Sequence, residues 1–299
     1  MVGRIDPSQS SDTATKRHGM TLSVLVPSSL VRETDDKRAA TRKVGSVARA
    51  ATVFRVDRVI VFDDPDGDRN ARWDGGFVET VLRYAATPPY LRKDVWGSRP
   101  ELEYAGVLPP LLAVSRTGSG SSDSGSLRQG LVTRVGPEDR VWVNCGLQHP
   151  ISLVVPPDMA VDDGTRVAVR ISSRRPVRAK LVDEPLPGYD VDRMDLTSAL
   201  ELDDAGVRIA TSRHGVPITV ERIGSLVGDI QQNGAIIAFG APGRGLPDII
   251  GIDTATLEPA DGTAGRFDHW VNVIPHQGSD VVRTEEAMFA ALACLTLTE

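Results

Sequence analysis

A chain of 299 residues is long enough for two domains, or for one domain that carries an inserted module. No stretch approaches the roughly 18 apolar residues of a membrane span, so the sequence predicts no membrane association. The two cysteines, Cys145 and Cys294, lie outside metal-type spacing and exclude a disulfide framework, which predicts a protein without metal in a reducing cytoplasm. Residues 1–18 lack an apolar core and predict a disordered tail, not a signal peptide.

The net charge of −6 argues against a uniformly basic nucleic-acid binder, but this charge is unevenly distributed. It is +2 over residues 1–110, +4 over residues 111–182 and −12 over residues 183–299. Attraction for phosphate is therefore expected in the middle segment and the amino-terminal third. Only five of the 34 basic residues are lysine. Acidic excess with scarce lysine suggests a salt-adapted organism, and a GC-rich genome is the alternative explanation.

The amino-terminal third alternates strand and helix patterns, which is typical of an α/β core. Residues 22–27 predict a strand that ends at its proline, and residues 59–62 predict a second strand. Between them, apolar residues recur at helical spacing from Asp35 to Val53 and predict an amphipathic helix with a basic face. The acidic run 63–68 lacks the glutamate that an EF-hand loop requires and predicts a solvated turn.

The composition and the hydrophobic pattern change in the middle of the chain, which begins with a Gly/Ser-rich linker at residues 115–126. Short β-type runs separated by turn signals follow it and indicate a small barrel or sandwich; an OB-like barrel would suit nucleic acid. These runs are residues 131–135, 140–144, 151–155 and 166–171. A basic run at residues 174–180 comes next, and it is either a solvated face or an RNA contact.

The last third contains two apolar strands, residues 235–239 and 270–274, each running into a loop rich in glycine and proline. A strand at residues 207–210 is expected to deliver Thr211, Ser212 and Gly215 to a third loop, and a short helix follows around residues 218–226. Carboxyl ends of parallel strands meet at one edge of a sheet, which is where open α/β sheets bind ligands. Residues 284–295 predict a final helix capped by the Thr284 hydroxyl.

The residues from Gln277 to Ala287 read Gln-Gly-Ser-Asp-Val-Val-Arg-Thr-Glu-Glu-Ala, the most specific motif of the chain. It resembles the carboxyl-terminal motif of the SPOUT (α/β-knot) RNA methyltransferases, in the branch that carries an OB-like insertion. Four more segments resemble this branch in the right order, and the likeness covers about residues 20–299. They are residues 48–57, 89–93, 108–111 and 210–215. His276 and the turn 241–244 depart from the pattern of the branch.

The resemblance implies an α/β fold in which a SPOUT trefoil-knot domain with a parallel sheet is interrupted by a small OB-like β-barrel. The knot domain would comprise residues 19–111 and 183–299, and the RNA-binding insertion residues 112–182. The final helix would thread through a loop to form the knot, an exception to unknotted topology. SPOUT domains pair as homodimers, and the small side chains of the final helix would permit close packing.

The resemblance also implies S-adenosyl-L-methionine as cofactor, bound in a bent form against the knot loops, and RNA as substrate, with uridine N3 as a candidate methylated atom. The implied cofactor-binding residues are Thr211, Ser212, Gly240, Gly245, Asn272, Ile274, Gln277 and Gly278. Arg49 and Arg283 are the candidates for positioning the target or stabilising its developing anion, with a structural ion pair as the alternative for each.

Three further side chains have two readings each. Glu285 and Glu286 are candidate proton acceptors, although helix-capping electrostatics explains both without catalysis. His276 is a candidate base or simply a polar surface residue. For the whole chain, the alternative to an RNA methyltransferase is a non-catalytic RNA-binding ribosome assembly factor whose cofactor site has degenerated.

Overall fold

The computed structural model describes residues 20–68, 73, 76–111, 113, 126–254 and 266–297. The predicted tail and nearly all of the predicted linker lie outside these residues. Two compact units share the chain: one comprises residues 87–99 with 112–188, and the other residues 18–86, 100–111 and 189–299.

The larger unit is built on a parallel sheet of six strands, in agreement with the predicted α/β class. Its strand order is β11-β9-β10-β1-β2-β8, and every neighbouring pair is parallel. The strands are β1 Leu22–Pro27, β2 Arg58–Phe62, β8 Asp190–Arg193, β9 Val207–Pro217, β10 Ala235–Ala238 and β11 His269–Asn272.

Helices cover both faces of this sheet. They are α1 Lys37–Val53, α2 Pro65–Asp68, α3 Phe77–Ala86, α5 Leu196–Leu200, α6 Val220–Asn233, α7 Leu246–Ile250 and α8 Thr284–Leu295. Alternate residues of a strand point to opposite faces. Thus Val24 and Val26 pack in the core under α1, α3 and α8, whereas Leu25 packs in the core under α5 and α7. Burial on both faces explains why the central strands read as uninterrupted apolar runs.

The smaller unit is an antiparallel, barrel-like sheet of five strands in the order β5-β4-β3-β6-β7. These strands are β3 Ser126–Val135, β4 Arg140–Asn144, β5 Ile151–Val154, β6 Arg166–Arg174 and β7 Val177–Val182, and the short helix α4 Arg92–Val95 belongs to the same unit. Its core is aliphatic and includes Val141, Val143, Val169 and Leu181.

Three local expectations are wrong. Ser126 already belongs to β3 and so is not part of the linker. The basic run 174–180 lies at the end of β6 and the start of β7, where its charged side chains are exposed, and its contact with RNA stays a prediction. Residues 63–68 are not simply a solvated turn, because Asp64 is fully buried just before α2. The residue at the N-cap of α8 is Arg283, and the Thr284 hydroxyl instead donates a hydrogen bond to the carbonyl of Gly240.

Candidate functional site

Three neighbouring strands of the larger unit end at one edge of the sheet. In register, Ala238 of β10 lies opposite Ala210 of β9, and Trp270 of β11 lies on the other side of Ala210. Since all three strands run parallel, the segments that follow these residues leave the sheet side by side. The structure thereby brings the predicted cofactor-binding residues of all three segments to the same edge.

The sequence predicted a loop after Ala210. The structure instead continues β9 to Pro217 and forms a wide bulge within that strand. Trp270 of β11 pairs with Ala210, and the next residue, Val271, pairs with Val216. The five residues 211–215 of β9 are therefore not paired with β11. The Thr211 hydroxyl donates to the carbonyl of Ala238 at 2.9 Å and joins the base of this bulge to β10. Gly215 passes so close to β11 that a Cβ there would meet the Val271 nitrogen at 2.7 Å.

The loop after β10 is a tight turn closed by two backbone hydrogen bonds between Ala241 and Arg244, of 3.0 and 3.1 Å. Gly243 takes a φ of +67° there, a conformation that favours glycine. Gly240 admits no side chain, because a Cβ would lie 2.5 Å from the nitrogen of Leu246. The Thr284 hydroxyl, 2.7 Å from the Gly240 carbonyl oxygen, ties the start of α8 to this turn. Gly245 then caps α7.

Asn272 connects the bulge to the third loop. Its amide nitrogen donates to the carbonyl of Arg213 at 3.0 Å, and its amide oxygen accepts from the backbone N–H of Ile274 at 3.0 Å. Further along, Gln277 bridges to the carbonyl of Ser279 at 2.8 Å. One asparagine side chain thus fixes the exits of β9 and β11 against each other.

Gly278 differs from the other glycines of this edge. It is exposed, its φ lies outside the left-handed region, and a Cβ built on it would meet no heavy atom within 4 Å. The fold therefore does not require glycine at this position. The exposed Gly278 backbone is accessible to a ligand, which is compatible with the implied cofactor.

A buried ion pair that the sequence analysis did not anticipate holds the turn 241–244. The Nε of Arg244 lies 3.2 and 3.1 Å from the two carboxylate oxygens of Asp64, whose side chain is fully buried. The same carboxylate accepts from the Ser29 hydroxyl at 2.6 Å and from the backbone N–H of Gly67 at 3.1 Å. The loop after β2 is thereby bonded to the loop after β10.

The two predicted catalytic arginines lie on elements that pack together. Arg49 is exposed on α1, and Arg283 is exposed directly before α8. Contact between the two helices includes an edge-on pair of the Phe54 and Phe289 rings, with centroids 5.8 Å apart. His276 is exposed on the third loop. Arg283 is the last residue of the third loop. Within the residues that the structure describes, no hydrogen bond or ion pair joins Arg49 to the three loops.

The two glutamates of the motif have different surroundings. Glu286 accepts a hydrogen bond from the backbone N–H of Arg283 at 2.9 Å, so helix capping accounts for it. Glu285 has a buried carboxylate oxygen that lacks a hydrogen-bond partner within the described residues. Burial raises the pKa of Glu285, and a hydrogen bond from its own backbone N–H together with the nearby charges of Lys43 and Arg283 opposes that rise. Only Glu285 therefore remains unexplained by capping.

We expect Glu285→Gln to stabilise the protein at pH 8. A carboxyl whose pKa is raised by folding contributes stability that is fully present below its ordinary value of 4.5 and is lost as the pH rises through the raised value. The variant removes that loss, so the gain in melting temperature should shrink towards pH 4. Melting curves at several pH values measure it. A gain that is the same at every pH, or that is largest in acid, would contradict this account.

Two absences concern only the residues that the structure describes. No helix there is long and apolar enough to cross a membrane. Within the same ranges, His, Cys, Asp and Glu side chains form no group of three or more that could hold a metal ion.

Comparison with known proteins adds a family to this geometry. The sequence model of a family described as "Putative RNA methyltransferase" matches residues 21–295. An uncharacterized protein of Halobacterium salinarum is 64% identical over 286 residues, which cover 94% of this chain and 100% of that protein. The 28S rRNA (uridine-N(3))-methyltransferase of Mus musculus is 29% identical, over 92% of this chain and 76% of the mouse protein. The protein of the same name from Drosophila melanogaster is 30% identical, over 94% of this chain and 62% of its own length.

Proposed function

The chain belongs to this family of RNA methyltransferases, and from that premise we propose that it uses S-adenosylmethionine to methylate ribosomal RNA at uridine N3. The names of the mouse and fly relatives support the substrate and the atom. The observation that carries the proposal is the sheet edge where hydrogen bonds join the exits of β9, β10 and β11, and from which the loop that exposes the Gly278 backbone leaves.

Backbone groups near Gly240, Ile274, Gln277 and Gly278 would hold the adenine and ribose of the cofactor. When bound, S-adenosylmethionine supplies a methyl group that is already activated on sulfonium. The protein's task is then to orient the acceptor in line with that methyl and to exclude water. Asn272 and Thr211 serve this task by fixing the loops in advance, because each bonds one strand exit to another. Ser212 and Gly245 complete the proposed site.

Uridine N3 carries a proton at neutral pH, so the acceptor needs deprotonation or charge stabilisation. Arg49 and Arg283 are proposed to position the base and to stabilise the anion that develops on it. Glu285 is the proposed acceptor of the N3 proton, since helix capping does not account for its carboxylate and burial raises its pKa, which favours proton uptake.

The finer architecture is proposed from the resemblance of the motif at residues 277–287. The larger unit would be a SPOUT domain whose final helix passes through a loop as a trefoil knot, and the five-stranded unit would be the OB-like RNA-binding insertion. Residues 19–111, 112–182 and 183–299 are the proposed domain boundaries, with a disordered tail before them. The protein would act as a cytoplasmic homodimer, in a salt-adapted cell.

Two measurements test the function. Calorimetry should detect S-adenosylmethionine binding to the purified protein, and incubation with ribosomal RNA from a strain lacking the protein should produce N3-methyluridine in a nucleoside mass spectrum. Cofactor binding with a different methylated nucleoside would change the target but keep the enzyme. RNA binding with neither cofactor binding nor methylation would favour the non-catalytic assembly factor.

The proposed dimer predicts a complementation result. If Arg49 enters the site of the neighbouring subunit, an Arg49→Ala subunit and a Gly278→Val subunit each lose activity alone but rebuild one complete site when paired. Mixing them should restore up to about half of the activity per dimer, because one of two sites is intact. Heterodimers purified through two different tags provide the sample. If verified heterodimers are as inactive as the two parents, Arg49 does not act in trans.

A further inference from the structure

The outer face of the five-stranded sheet carries a row of side chains that the proposed methyl-transfer site does not use. In register, Ser152 of β5 lies opposite Trp142 of β4, and Trp142 lies opposite Arg134 of β3. Neighbours that alternate with these residues, such as Val141 and Val143, are buried in the core. The row therefore faces outward, with Arg134 and Ser152 exposed and Trp142 half-buried.

Arg134 lies over the indole ring of Trp142. Its guanidinium carbon is 3.6 Å from the centroid of the Trp142 ring, which is stacking distance. Gly136 makes room for the ring edge, since a Cβ there would meet Cζ3 of Trp142 at 2.6 Å. The indole is thus held in place by the turn after β3, and the arginine covers it from outside.

The other cation–aromatic contacts of this unit are looser and are explained by structure. Arg99 lies 5.4 Å from the Trp96 ring, and Trp96 is itself buried. Arg128 lies 5.9 Å from the Tyr90 ring and donates to the carbonyl of Cys145. Arg134, by contrast, has no carboxylate partner in the described part of the chain and is exposed. Its charge and its plane both remain available to a ligand.

We propose that Arg134 and Trp142 form a stacking platform for an unpaired base of RNA. Aromatic rings and guanidinium planes are the surfaces on which splayed-out bases stack, and they accept any base because every base has a π-face. Phosphate attraction is supplied by exposed basic residues of the same sheet. These are Arg140, Arg174, Arg178 and Lys180. The proposal rests on the proposed function for its choice of RNA, and it concerns a surface outside the methyl-transfer site.

The test measures binding of a fluorescent oligouridylate of about 12 nucleotides, a length that matches such single-strand sites. Trp142→Ala should weaken binding by up to roughly 5- to 150-fold, the range expected for one lost base stack, because Arg134 loses the ring that holds its plane in position. Trp142→Phe keeps an aromatic support and should keep most of the affinity. Arg134→Gln should weaken binding. It should also make the slope of the logarithm of the binding constant against the logarithm of salt concentration less negative by about 0.7, the value for one lost phosphate contact on a single strand. Arg99→Gln is the matched control, because it removes one positive charge that lies over a different tryptophan of the same unit, Trp96. This variant should bind the oligouridylate almost as tightly as the wild type.

A duplex RNA of equal length separates stacking from general attraction, because paired bases are unavailable to the platform. Trp142→Ala should leave duplex binding unchanged. Absence of oligouridylate binding by the wild-type protein, equal affinity of Trp142→Ala and wild type, or equal weakening for duplex and single strand would each overturn the platform. Melting curves confirm that the variants are folded. Calorimetry with S-adenosylmethionine tests the proposed function separately, since its failure would leave the dependence on Trp142 intact.

Discussion

Gly278→Val is expected to abolish S-adenosylmethionine binding while the melting temperature stays within about 2 °C of wild type. The unchanged melting temperature is expected from the structure, in which a Cβ at Gly278 meets no heavy atom within 4 Å and the backbone is not left-handed. The loss of S-adenosylmethionine binding is expected from the proposed cofactor site. A branched side chain there would fill the space that the cofactor needs and stiffen the loop.

Gly97→Val is the matched control for this experiment. Gly97 is also an exposed glycine whose Cβ would meet no heavy atom within 4 Å, and it lies in the other compact unit. Calorimetry should show wild-type cofactor affinity for Gly97→Val and no detectable heat for Gly278→Val. A folded Gly278→Val protein with unchanged affinity would place the cofactor elsewhere.

The sequence predicted the central strands well because burial on both faces leaves only apolar residues in them. The edge strands β5 and β11 were recognised, but the more polar edge strands β7 and β8 were not. In β7, Arg178 and Lys180 are exposed while Leu181 is buried, so this strand resembled a solvated charge run. In β8, only Val191 is buried among polar residues. Such strands are held by pairing with a neighbour, and the pairing partner is not visible in the local pattern.

The position of the candidate site was predictable for a different reason. Loops after parallel strands gather at one sheet edge whatever their sequence, so identifying the strands was enough to place Thr211, Gly240 and Asn272 together. The details depend on contacts between distant residues. Asp64 and Arg244 are separated by 180 positions, and an acidic run after a strand gives no local sign that one of its carboxylates is buried. A lone arginine in a glycine-rich turn was the one available signal.

Asp64→Asn should lower the stability of the protein by roughly 3 kcal/mol, about 6–12 °C in melting temperature. The variant keeps the shape of the side chain but leaves the guanidinium of Arg244 without its buried counter-charge. It also turns an amide N–H₂ group towards one of two donors, the Ser29 hydroxyl at the Oδ2 position or the Gly67 N–H at the Oδ1 position. The turn 241–244 should loosen as a result, and we expect weaker binding of S-adenosylmethionine together with the lower melting temperature.

Asp63→Asn is the control, because the neighbouring aspartate also pairs with an arginine but does so at the surface. The Asp63 and Arg193 side chains are 49% and 35% exposed, and such pairs contribute less than about 1 kcal/mol. Arg244→Gln combined with Asp64→Asn should cost less than the two single changes together. Arg244→Gln alone leaves the buried Asp64 carboxylate without its counter-charge, and Asp64→Asn alone leaves Arg244 with the more distant carboxylate of Asp66, at 3.8 Å. Equal melting temperatures for Asp63→Asn and Asp64→Asn would show that the ion pair does not hold the turn. A second outcome would be a destabilised Asp64→Asn protein that keeps full affinity for S-adenosylmethionine. It would show that the turn 241–244 is not part of the cofactor site, because loosening this turn would not have changed binding.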